Sequence, residues 1–275
     1  MFFILFILFF IAYISYGRVK EIVQPIKMKK TEWIELFDVT KLNKDYVPQG
    51  IEVYKNYLLF TVHKKDKSSL LIVFKINNSK LYYLYKIKFP PEATHVSDLS
   101  LYKNNLYAID YASNNLYKID IEKTINSKKL TVLSKMQTHL KRSGSIVVTN
   151  YNNEDVVFIT QFILNKNINV YRLTDLSKKD KKPIISIDSK YFIQGLYKQN
   201  NKFLISSNKY GKDPIFVCKY NALLEERSIN TNNILIINGP GKMIEDLVLY
   251  NGYIITSDED SYKIYITKEK IEDVQ

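Results

Sequence analysis

The sequence predicts an all-β domain of five repeated units, each of four antiparallel strands. The first observation is a local pattern that recurs five times: an apolar run, a turn rich in Tyr and Asn, then a second apolar run. It opens at Gly50-Ile51-Glu52-Val53-Tyr54-Lys55-Asn56, at Asp98 to Asn105, at Ser145 to Asn153, at Gly195 to Asn201 and at Asp246 to Gly252. The second is spacing: Ile51, Leu99, Ile146, Leu196 and Leu247 stand 48, 47, 50 and 51 residues apart, a period that fits one four-stranded unit. The third is composition: 22 Tyr and 14 Phe against only 8 Gly suit pleated, half-buried surfaces.

Each unit divides into strands A to D at its apolar runs and turns. Unit one reads as A from Gly50 to Tyr54, B from Tyr57 to Val62, C from Leu70 to Ile76 and D from Leu81 to Phe89. Unit two continues with Leu106 to Tyr111, Leu116 to Ile121 and Leu130 to Met136. Unit three gives Val156 to Gln161, Ile168 to Leu173 and Pro183 to Ile187, and unit four gives Phe203 to Ser207, Ile215 to Tyr220 and Ile234 to Ile237. Unit five has A from Asp246, B from Tyr253 to Thr256 and C from Tyr262 to Thr267, but no outer strand of its own. The segment Glu32 to Val39 reads as a strand outside any unit. Lending it to the last unit closes the ring and covers an edge. Trp33, the sole Trp, is then expected between the first and last units.

On these repeats the chain resembles a five-bladed β-propeller over residues 32–275, a resemblance of architecture alone. There is no Gly-His/Trp-Asp pair of the WD40 type and no kelch glycine pair. Such folds serve binding and hydrolysis alike, so the resemblance implies no activity.

Residues 2–16 form an apolar run followed by Ser15-Tyr16-Gly17 and then Arg18. Its length suits a signal peptide better than a membrane span of about 20 residues. No Lys or Arg precedes the run and several follow it, which suits an anchor instead. The expected organisation is 1–17 signal peptide or membrane anchor, 18–31 linker and 32–275 propeller. The product is expected to be secreted and monomeric, with membrane anchoring as the alternative. Cys218, the only cysteine, lies in an apolar run and reads as a buried thiol. Asn77-Asn78-Ser79 matches a glycosylation acceptor.

Forty basic against 28 acidic residues give a net charge of +12. Only four basic residues are Arg (Arg18, Arg142, Arg172, Arg227), the rest Lys. Arg is the residue of planar phosphate and base recognition, so nucleic acid is not the expected partner. No zinc-type Cys/His spacing, phosphate-cradling glycine loop or Gly-x-Ser-x-Gly elbow is present.

The A strands should line the central channel, so residues entering A and leaving B should meet at one mouth. The entry ring is Gln49, Asp98, Ser145, Gln194 and Asp246, with Glu245 beside it. The exit ring is His63, Asp110, Gln161, Asn208 and Asp258. This polar funnel is expected to recognise a small polar ligand, a glycan or a protein partner. The competing reading is a hydrolase of the lactonase or phosphoesterase type. There, Asp98 and Asp246 would hold Ca²⁺ through hard oxygen ligands, and His95, helped by Asp98 or Asp110, would act as general base. His139 falls in the corresponding loop before unit three.

Overall fold

A computed structural model describes residues 28–64, 67–78, 80–161, 167–208, 213–229 and 234–271. Residues 1–17, expected as signal peptide or anchor, and linker residues 18–27 lie outside the described residues, as does Ser79 of the acceptor pattern.

Twenty strands form five four-stranded antiparallel sheets. Blade I holds β2 (Val47–Tyr54), β3 (Tyr57–His63), β4 (Leu70–Asn77) and β5 (Lys80–Lys88). Blade II holds β6 (Val96–Tyr102), β7 (Asn105–Asp110), β8 (Asn115–Asp120) and β9 (Val132–Gln137). Blade III holds β10 (Ser143–Tyr151), β11 (Glu154–Gln161), β12 (Ile168–Arg172) and β13 (Ile185–Ile187). Blade IV holds β14 (Phe192–Gln199), β15 (Lys202–Asn208), β16 (Pro214–Lys219) and β17 (Leu235–Asn238). Blade V is β18 (Ile244–Tyr250), β19 (Tyr253–Asp258) and β20 (Lys263–Thr267), completed by β1 (Trp33–Asp38). The inner strands pack in the order β2, β6, β10, β14, β18 and back to β2, closing a five-bladed β-propeller.

The Asn-rich turns have a backbone reason. Two-residue hairpins need positive φ, which Asn and Gly tolerate best. The turns Lys103–Asn104, Asn152–Asn153 and Asn251–Gly252 have positive φ at both positions, joining Tyr102 to Asn105, Tyr151 to Glu154 and Tyr250 to Tyr253.

Each blade is buried on both faces, so its middle strands are apolar without alternation. The two faces feed different cores. In β4, Ile72 and Phe74 pack towards Val248, Ile255 and Ile264 of blade V, while Leu71 and Val73 pack towards Leu106 and Tyr117 of blade II. Further cores join blades III and IV through Phe158, Phe203 and Phe216, and blades IV and V through Leu204, Ile215 and Leu247.

The N-terminal closure forms as the sequence predicts: Trp33 pairs with Thr267 and Asp38 with Lys263. Two details differ from expectation. Trp33 packs with the core between blades IV and V, and its indole N–H donates to the Asn238 carbonyl at 2.9 Å. The end of the expected linker is docked there too: Lys29 N–H donates to Ile236 O at 2.8 Å and Thr31 N–H to Asn238 Oδ1 at 2.6 Å. Two short helices between strands C and D, Ile121–Ser127 and Tyr220–Glu226, are also additions to the strand reading. The second buries Tyr220, Leu223 and Leu224, a helical spacing already present in the sequence.

Candidate functional site at the channel mouth

All five inner hairpins break register near the start of strand A. The shifts fall between Pro48 and Ile51, Val96 and Asp98, Ser143 and Ile146, Ile193 and Gly195, and Ile244 and Leu247. A bulge re-aims the side chains it contains. Here it separates two layers that the sequence reading merges into one ring. Counted back from the conserved-register apolar residues Ile51, Leu99, Ile146, Leu196 and Leu247, the deep layer is Gly50, Asp98, Ser145, Gly195 and Asp246. One residue further back are Gln49, Ser97, Gly144, Gln194 and Glu245.

The deep layer laces blades together. Asp98 accepts N–H bonds from its own Leu99 and from Ile146 of blade III, both at 2.6 Å. Asp246 likewise accepts from Leu247 and from Ile51 of blade I, both at 2.7 Å. Ser145 donates to the Gln194 carbonyl of blade IV. The Asp98 and Asp246 carboxyls also bond each other. Burial, then the Asp246 charge, raise Asp98 well above the usual carboxylate range, and burial raises Asp246. The oxygens of Asp98 and Asp246, expected as Ca²⁺ ligands, are turned to backbone N–H groups and to one another. Among the described residues no cluster of three His, Cys, Asp or Glu side chains is placed to hold a metal ion.

One step further along β2, Glu52 extends the same lacing, accepting from Val53 at 2.8 Å and from Leu101 of blade II at 2.7 Å. Burial pushes its carboxyl up to about 8.

The exit ring divides. Asp110 accepts from the N–H of His95 at 2.7 Å and of Ser113 at 2.6 Å. Asp258 does the same for Met243 and Ser261, both at 2.9 Å. Both are buried turn-fixing residues. Gln161 donates to the Lys141 carbonyl at 2.9 Å, and Asn208 sits opposite Phe192 at the strand edge. Of this ring His63 lines the mouth. His139 is exposed and in a left-handed turn, away from it.

The mouth is a cleft of about 340 Å³ lined by Gln49, Ser97, Gly144, Gln194 and Glu245, with His63, His95, Tyr111, Met243 and Glu259. The His63 and His95 rings stack 4.1 Å apart, 19° from parallel, and Tyr111 tilts against His95 at 5.0 Å. His95 Nε2 meets Gln49 Oε1 at 2.8 Å. The amide oxygen can only accept, so this nitrogen carries a proton. The expected general-base pair of His95 with Asp98 or Asp110 does not form, because both carboxylates hold backbone N–H groups instead. Burial lowers both imidazoles to about 4, with His95 adding to the effect on His63. They are neutral at pH 7. Glu245 moves the other way: burial, then a hydrogen bond that its protonated carboxyl donates to Glu259, raise it well above the usual range. Ser97, Tyr111, Gly144, Met243 and Glu259 are cleft residues absent from the sequence-based rings. Tyr111 and Glu259 both directly follow a strand-B aspartate, and their N–H groups donate to His95 O and Met243 O, each at 2.8 Å. Extending the register by one position would have found them.

No family model matches this chain, and no curated protein does. Solved structures do. The chain is similar to a Myxococcus xanthus glutaminyl cyclase at 8% identity and a TM-score of 0.61, over 91% of this chain and 100% of that one. A nidogen/laminin complex gives 9% identity and a TM-score of 0.48 over 83% of this chain and 81% of that one. A Dos1 propeller gives 13% and 0.42 over 77% of this chain and 53% of that one. At these identities the likeness is one of fold alone.

Proposed function

We propose that the protein is an exported ligand-binding propeller and that its site is the mouth cleft. One observation carries this: every blade contributes its bulge residue to a single polar cleft, while the polar residues below it are committed to holding blades together. Its volume of about 340 Å³ falls in the range of small-molecule sites. The Gln49 and Gln194 amides, the Tyr111 hydroxyl and the Glu245–Glu259 pair offer donors and acceptors, and the stacked imidazoles offer a flat neutral face. A small polar molecule, a glycan end or a peptide end fits this chemistry.

A thermal-shift screen against such ligands tests the reading. A ligand at a hundred times its Kd adds ~2.7 kcal/mol, a shift of several degrees for a domain this size. Gln194→Ala and Glu245→Gln should abolish the shift while leaving the unliganded protein folded. A ligand whose effect survives both substitutions would place its site elsewhere. A peptide with N-terminal glutamine belongs in the panel by analogy of fold with the Myxococcus xanthus enzyme.

A second reading, hydrolysis, rests on Glu245, since a carboxyl held protonated beside a second carboxyl is the arrangement of a general acid. Turnover of esters or lactones that Glu245→Gln eliminates would support it over simple binding. Export is supported by the apolar run 2–16 and the small residues Ser15 and Gly17. Amino-terminal sequencing should find Arg18 first, and an intact Met1 in a membrane pellet would show an anchor instead.

A further inference from the structure

Among the described residues seven large apolar side chains remain exposed, and six lie on the outer strands of three consecutive blades. These are Ile34 on β1, Tyr82, Tyr83 and Leu84 on β5, and Val132 and Leu133 on β9. The outer strands of blades III and IV are shorter, with no exposed position. The apolar surface is therefore confined to one side of the ring wall, V–I–II. Between β5 and β9 runs a groove of about 420 Å³ whose rim carries Lys86, Lys88, Lys128 and Lys129. None of the four is in an ion pair among the described residues.

We propose that this wall lies against an anionic lipid bilayer. The charge selects an anionic partner, and the apolar side chains select one with a hydrocarbon layer behind its charge. Tyr and Lys pair an apolar body with a polar tip, and both settle at the interface between headgroup and acyl chain. β1 is in contact with β5 at this wall. Surface attachment of this kind grows with the apolar area buried and with attraction to anionic lipid, and the exposed apolar side chains of the wall beside its lysines supply both. Among the described residues no helix is long and apolar enough to cross a membrane, so the propeller would rest on the bilayer.

The test is flotation of the full chain with vesicles of phosphatidylcholine alone or with phosphatidylserine, together with amide hydrogen exchange. Comparing the two vesicle types isolates the phosphatidylserine-dependent part of the binding, and the lysine variant isolates the wall's share of it. Expected is tighter binding to the anionic vesicles with slowed exchange in β5 and β9. K86E/K88E/K128E/K129E should lose about fivefold in partitioning per lysine, and Y82S/L84S should also weaken it. All six positions are at the surface, and an unchanged melting temperature confirms folding. Equal binding of wild type and both variants to anionic vesicles would overturn the proposal. So would protection of β5 and β9 that appears without vesicles as protein concentration rises, since that would assign the wall to a second copy of the chain.

Discussion

Each glycine of the deep layer is followed by an aspartate in the next blade, for a steric reason. A Cβ at Gly195 would meet Asp246 Oδ1 at 2.6 Å, Asp246 Cα at 2.7 Å and Ser206 Oγ at 2.8 Å, and one at Gly50 would meet the Asp98 Cα at 2.6 Å. Each glycine makes room for the aspartate of the next blade. Gly195→Ala should therefore cost about 1–3 kcal/mol or more, as overpacking does, seen as a lower denaturation midpoint. An unchanged midpoint would mean the channel is looser than these distances imply. Glu52 gives a pH test. Its folded pKa, about 8, lies above the unfolded value, so the native state holds a proton that the unfolded state releases. That stability is present in full below the unfolded pKa and is lost as pH rises towards 8. The imidazoles act in the opposite sense, but only below their unfolded value near 6.5. Between pH 7 and 8 the carboxyls alone set the slope, up to ~1.4 kcal/mol per pH unit for one proton. Glu52→Gln should flatten the fall in melting temperature across that window, and an unaltered slope would assign it to Asp98 and Asp246. Cys218 is buried, with its thiol pushed up to about 12. It should resist thiol reagents until the protein unfolds, and rapid labelling of the native protein would contradict that burial.

At the level of strands, the repeat was legible because each A–B hairpin needs the same apolar pair of runs and the same left-handed turn. The outer strand lent by residues 33–38 was legible because blade V lacked one. The bulge was not. It inserts residues without changing the apolar pattern that flanks it, so Gln49 and Asp98 looked equivalent when one faces the mouth and the other the blade seam. Acidic residues read as ligands for the same reason: sequence shows a carboxylate but not the N–H groups waiting for it. The helix Tyr220–Glu226 was hidden by the expectation that C leads directly to D. The closure makes a firm prediction. Deleting residues 1–38 removes β1 and leaves β20 as an exposed edge, so the product should aggregate or lose cooperative unfolding. A truncated chain that melts like the parent would remove β1 from the closure.

Across the whole molecule, stability comes from five seams, one on each side of every blade, so no blade has a private core. That arrangement has a consequence in time. β1 leaves the ribosome before every other described strand, and its partner β20 after every other. Glu35 meets Lys263, 228 positions further along the chain. Blades I to IV can each assemble as their own strands emerge, whereas β1 must wait through the synthesis of all of them. Contacts of such long range close slowly, and a strand without a partner is open to the wrong one. The birth of this protein therefore contains an interval in which β1 is unclaimed, and the arrival of β20 decides when that interval ends.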